Sequence, residues 1–193
     1  MKELLDKIET MPVHERQVII QNKVMDTHYN VMFLALVEEL GEYVASLGYQ
    51  DWKVVPRDEL NLIVELADIC IFAMNCEFYD MGRSGITPVK ADHCHLGFSP
   101  DIAFVDEIMS MIVNKEFETI PSFIVTNHPE VLYAIEAKQA LNVVRQAFGY
   151  KEGNYVKNWD GQEDNVYMIE LINRGESNIV AKMFDKAKAC QRN

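Results

Sequence analysis

Apolar residues recur along this chain at intervals of three and four, the spacing that lines one face of a helix, and not at the interval of two that marks a strand. They predict helices in series, with turn residues between them. The first expected helix covers residues 2–9. A second starts at Pro12, a residue tolerated in the first turn, and runs to residue 28. The third has the clearest period, with Val31, Leu34, Val37, Val44 and Leu47 in step and Gly48 as its stop. Pro56 and Asp58 introduce a fourth over residues 59–79, with Gly82 after it. Glycines, a proline and two histidines make residues 83–98 a loop. Ser99-Pro100-Asp101 then opens a helix that ends near Asn114. His128-Pro129-Glu130 opens another, which runs to Phe148 and stops at Gly149. Residues 150–160 have no period and read as an ordered loop. Helices over 162–173 and 177–189 finish the chain. Phe123-Ile124-Val125 is the one extended candidate, and it has no evident partner. The expected fold is an all-α helical bundle, a single domain over residues 1–193 with no repeat and no linker.

Composition narrows the class. With 193 residues and 49% of them apolar, the chain can bury about 70% of the surface its unfolded form exposes. No run approaches the ~18 to 20 apolar residues of a membrane span. The first residues carry acids where a signal peptide carries bases. Four sparse cysteines suit reduced thiols, so the expected location is cytoplasmic, away from membranes. Eighteen basic against 30 acidic residues leave a net charge of −12. That balance argues against a nucleic-acid partner, whose phosphates are bound mostly by Lys and Arg. A small phosphorylated substrate is compatible with it, given a cation to bridge two anionic partners.

Two acidic pairs supply a place for such a cation. Glu39 and Glu42 stand three apart on the third helix, so they share a face; Glu65 and Asp68 do the same on the fourth. The second pair sits among Leu62, Ile63, Val64, Leu66, Ala67, Ile69, Ile71 and Phe72, a pattern apolar almost all the way round, which marks a buried helix. Buried carboxylates are costly unless paired or metal-bound. No Lys or Arg lies within a helical turn of either. The plain alternative is a solvated acidic stripe, or pairing with lysines from elsewhere. If the two helices pack antiparallel with all four acids inward, the oxygen-rich set suits Mg²⁺, which combines a few carboxylates with substrate phosphate oxygens.

These blocks carry a resemblance. Glu39-Leu40-Gly41-Glu42, then Trp52-Lys53, then Glu65-Leu66-Ala67-Asp68-Ile69 resemble the dimeric dUTPases of the all-α nucleoside-triphosphate pyrophosphatase superfamily. A third block extends the likeness, from Gly149-Tyr150-Lys151-Glu152-Gly153-Asn154-Tyr155-Val156-Lys157 to Trp159-Asp160-Gly161-Gln162-Glu163-Asp164-Asn165. The blocks span about residues 17–165. The resemblance implies a homodimer that hydrolyses dUTP to dUMP and pyrophosphate with Mg²⁺. It implies Glu39, Glu42, Glu65 and Asp68 as metal ligands, with Glu39 also the catalytic group that orients the attacking water. It implies Lys151, Tyr155, Lys157 and Asn165 on the phosphate chain and Gln21 on the pyrimidine edge. Trp52 either walls the nucleoside pocket or belongs to the core. Met25 stands where the pattern has asparagine, so uracil and cytosine are not separated by the motif; Ile71 stands where many members have histidine, a substitution expected to matter little.

A dCTP-directed or broader MazG-type pyrophosphatase is the alternative within the class, and a catalytically inactive helical interaction protein the alternative outside it. Asp92-His93-Cys94-His95 lacks the second half of a structural zinc site and reads as loop. The ten methionines read as core fillers. Arg83 is a candidate phosphate contact.

Overall fold

A computed structural model describes residues 10–23, 28–49, 52, 56–82, 85–90 and 102–191. The expected first helix, the Ser99-Pro100-Asp101 start, the 92–95 cluster, Met25, Lys53 and Arg83 lie outside the described residues.

The described part is all-α with one small hairpin. Helices run in the order α1 (Val13–Lys23), α2 (Tyr29–Ser46), α3 (Glu59–Asp80), α4 (Ile102–Asn114), α5 (Ile120–Asn127), α6 (Val131–Ala147), α7 (Asp164–Asn173) and α8 (Ile179–Cys190). Strands β1 (Asn158–Trp159) and β2 (Gln162–Glu163) pair antiparallel before α7.

α3 is the central rod. Asp58 caps it by accepting from the Asn61 backbone N–H at 3.0 Å, which satisfies a donor the first turn leaves orphaned. Its residues from Leu62 to Phe78 are buried on nearly every side, as the apolar pattern requires. Gly82, at φ +64°, supplies the left-handed residue after its end.

α2 lies along α3 in the opposite direction. Asp58 N–H donates to the Ser46 carbonyl and Asn61 Nδ2 to Ser46 Oγ, so the end of α2 meets the start of α3. The face α2 buries is not the one that Val31, Leu34 and Val37 mark. Met32, Leu36, Leu40 and Tyr43 are buried, whereas Val31, Leu34 and Val37 are exposed at 52%, 68% and 46%. α2 is apolar on two faces. The set spaced four, four and three packs against α3, and the other is left outside.

Two local expectations are corrected. Phe123-Ile124-Val125 is helical, within α5. The β-branched residues favour strand locally, but Ile120 and Ile124, a turn apart, are both buried, and Pro121 is placed in the first turn. Gln162 and Glu163 belong to β2, so the helix expected from residue 162 begins at Asp164. Between the strands, Asp160 and Gly161 have φ of +51° and +92°, the positive pair that a two-residue type I′ hairpin turn needs.

Apolar side chains gather around α2, α3, α4 and α5 on one side and around α6, α7 and α8 on the other, with α3 and α6 in contact between them. Trp159 is fully buried in the second group, and its indole N–H donates to the Val156 carbonyl at 3.1 Å. No helix of the described residues is long and apolar enough to cross a membrane.

Candidate metal and phosphate site

The antiparallel pairing of α2 and α3 sets their acids against each other. Glu39, Glu42 and Glu65 each offer a carboxylate oxygen, and these lie within 4.8 Å of one another. Glu65 is buried, Glu39 half-buried and Glu42 exposed. Asn61, one turn earlier on α3, donates to Glu65 Oε1 at 2.8 Å and fixes that carboxylate.

Asp68, the fourth acid, is held differently. Its Oδ2 lies 2.6 Å from Lys138 Nζ, and both side chains are nearly buried. The absence of a cation within a helical turn was legible; the arrival of one from α6 was not. The structure therefore gathers three of the four expected ligands and sets the fourth beside them in an ion pair.

The electrostatics follow from this crowding. Burial, then the Asp68 charge and the hydrogen bond with Glu65, push the Glu39 carboxyl up to about 9; Lys138 pulls weakly the other way. Burial also raises Glu65. A hydrogen bond between the two favours the proton on Glu39, and Lys138, already bonded to Asp68, offsets little of this crowding. A divalent ion fits this donor set. The ligands are hard oxygens, they are close enough to share one ion, and among the described residues no ion pair is formed by any of the three.

Beside the acids lies a cavity of about 250 Å³. Glu39, Asp68, Ile71, Phe72 and Asn75 line it from α2 and α3, and Lys138, Asn142, Arg145, Gln146 and Tyr150 from α6 and the turn after it. One wall is acidic and the other carries two cations.

Arg145 is locked in place. Its Nε donates to Asp164 Oδ2 and its Nη2 to Asp164 Oδ1, both at 2.8 Å, and Nη2 reaches Asn165 Oδ1 at 3.2 Å. Those bonds use three of the five guanidinium hydrogens. Asp164 is fully buried. Burial opposes its charge, yet the Arg145 bonds prevail and hold its carboxyl below the ordinary range.

The expected phosphate contacts divide. Asn165 is tied to Arg145 as described. The Tyr155 hydroxyl donates to Asp164 Oδ2 at 2.8 Å, and burial together with that bond raises its pKa. Lys157 is exposed, with its ammonium 5.6 Å from the centre of the Tyr150 ring; the Arg145 guanidinium lies at 5.6 Å from the same ring. Lys151 is exposed. Gln21 is buried and donates to the Tyr79 hydroxyl at 3.1 Å. Trp52 is 77% exposed and meets Tyr49 edge to face at 5.9 Å.

Lys138, Asn142 and Arg145 were not singled out in the sequence. Their signal was present: they stand four and three apart on a helix whose Ala137, Ala140, Leu141, Val143 and Val144 are all buried, so they share a face that no solvated stripe explains. No protein-family model matches the chain, and no curated protein matches its sequence.

Proposed function

We propose that the protein is a Mg²⁺-dependent pyrophosphatase of pyrimidine deoxynucleoside triphosphates, acting on dUTP first to give dUMP and pyrophosphate, and working as a homodimer. The observation that carries this reading is the approach of Glu39, Glu42 and Glu65 within 4.8 Å beside a cavity that Lys138 and Arg145 also line.

Bound Mg²⁺ would supply a water of lowered pKa and neutralise charge on the phosphates. Glu39, Glu42 and Glu65 would hold it, with Asp68 completing the set or orienting Lys138. Glu39 would also orient the water that attacks as the α–β phosphoanhydride breaks. Arg145 and Lys138 would bind the phosphate oxygens that leave. Asp164 holds the guanidinium in one orientation, so little freedom is lost on binding. Lys151 and Lys157, on the exposed loop after Gly149, would close over the chain.

The test is pyrophosphate release from dUTP, dCTP and dTTP in parallel, with Mg²⁺ and with EDTA. Mg²⁺-dependent release with dUTP ahead supports the proposal. Comparable turnover of dCTP would favour the dCTP-directed alternative, and no release from any of the three would leave the inactive interaction protein.

A further inference from the structure

We infer that Asn75 is the residue by which this site tells one pyrimidine from another, and that Gln17 and Gln139 fix the direction of its amide. The inference rests on the nucleotide reading above and deepens it. Asn75 stands seven residues beyond Asp68 on α3, about 10 Å further along at 1.5 Å per residue. It lines the same cavity. The proposal sets the phosphates at the acids and Arg145 and the base along α3 at Asn75, all of which line this one cavity.

A carboxamide has a donor end and an acceptor end, and a free one turns to suit its partner. Asn75 is not free to turn. The chain of bonds begins at the Val13 carbonyl, which can only accept. Gln139 Nε2 donates to it at 2.9 Å and gives its other hydrogen to Gln17 Oε1, also at 2.9 Å. Gln17 therefore offers Nε2 at its far side, which donates to Asn75 Oδ1 at 2.7 Å. Gln17, Asn75 and Gln139 are all buried, at 1%, 0% and 0% exposure, so bulk water does not stand in for a lost partner. Reversing one amide would set like ends face to face, which is costly in a low-dielectric interior. The direction is set from α6 through α1 to α3.

Asn75 thus keeps Oδ1 on Gln17 and turns Nδ2 the other way. That nitrogen donates to the Met32 thioether at 3.3 Å, and sulfur is a weak acceptor. Met32 covers the amide, and its unbranched chain can swing aside for a stronger acceptor. A ring carbonyl is such an acceptor. The 4-oxo group of uracil accepts from Asn75 Nδ2, whereas the 4-amino group of cytosine brings a donor against a donor. The uracil preference then comes from the direction of one amide, and the two glutamines are positioning residues.

The experiment measures kcat/KM for dUTP and dCTP in the wild type, Asn75→Asp, Asn75→Ala and Gln139→Leu. Beside it run calorimetric binding of the α,β-imido analogues of both nucleotides and thermal melting. Asn75→Asp keeps the shape and removes the donor when ionised; it should lower the dUTP:dCTP ratio about tenfold, the worth of one hydrogen bond. Asn75→Ala should do the same without a buried charge, which keeps the test valid if the aspartate variant melts early. Gln139→Leu should narrow the ratio in the same direction; a merely structural glutamine would lower the melting temperature and leave the ratio alone. If the wild type turns over both substrates equally, or both Asn75 variants keep its ratio, the inference is overturned while the nucleotide reading stands. If the wild type binds neither analogue, the nucleotide reading itself fails and takes the inference with it.

Discussion

Glu39 keeps its proton up to about pH 9 because burial and the Asp68 charge both disfavour its anion. An unfolded chain releases that proton near the ordinary carboxyl value of 4.5. Between those two values the native protein binds more protons than the unfolded one, so stability falls as pH rises through the window. In EDTA the melting temperature should therefore decline from about pH 5 to about pH 9, and Glu39→Gln should flatten the slope. Added Mg²⁺ displaces the proton and should protect most at the alkaline end. Asp68 and Glu65 make a second residue-scale contrast. Glu65→Gln should abolish turnover and leave the melting temperature equal or higher, since it relieves uncompensated buried charge. Asp68→Asn should lower stability in denaturant titration, because it breaks the 2.6 Å ion pair with the buried Lys138 ammonium and leaves it only the charges of Glu39 and Glu65. Equal stability losses in the two variants would contradict the assigned pairing. The sequence alone treats Glu65 and Asp68 alike, since Lys138 stands seventy positions after Asp68 and only the packing of α6 on α3 joins them.

The elements were legible in proportion to their length. α2, α3 and α6 begin and end close to where their periods, caps and glycines place them. Which face of α2 is buried was not legible: Val31, Leu34 and Val37 keep a helical period as good as that of Met32, Leu36 and Leu40, and only the position of α3 decides between them. The β1–β2 hairpin was missed for a different reason. Its Asp160-Gly161 signal is strong, but two-residue strands leave no alternation to notice. α7 then carries Asp164 and Asn165 into reach of Arg145, and the segment after Gly149 carries Tyr155 to the same carboxylate. That geometry gives Tyr155 a bracing role. Tyr155→Phe should cost about 1 kcal/mol in denaturant titration and leave kcat for dUTP within about twofold; a large fall in kcat with unchanged stability would put the hydroxyl on the phosphate chain instead.

At the scale of the whole molecule, the all-α architecture follows from helical periodicity throughout, while the site depends on contacts between distant parts of the chain. Acids from α2 and α3 were visible as motifs; the cations and amides of α6 that face them were not, because their partners lie elsewhere in sequence. The exposed Val31, Leu34 and Val37 on α2 give the proposed homodimer an apolar surface on a chain whose net charge of −12 otherwise opposes self-association. Sedimentation equilibrium should return twice the chain mass for the wild type and a single chain for Leu34→Glu; a wild-type monomer would remove the dimer from the proposal.

In the proposed site a divalent cation replaces the proton held between Glu39 and Glu65. Calorimetric titration of Mg²⁺ into the protein with α,β-imido-dUTP, at about pH 7.5 in two buffers of different ionisation enthalpy, measures that exchange directly. Saturable binding with release of about one proton is expected, lost in the Glu39→Gln, Glu65→Gln double variant. Binding without proton release, or of equal strength in the double variant, would contradict it.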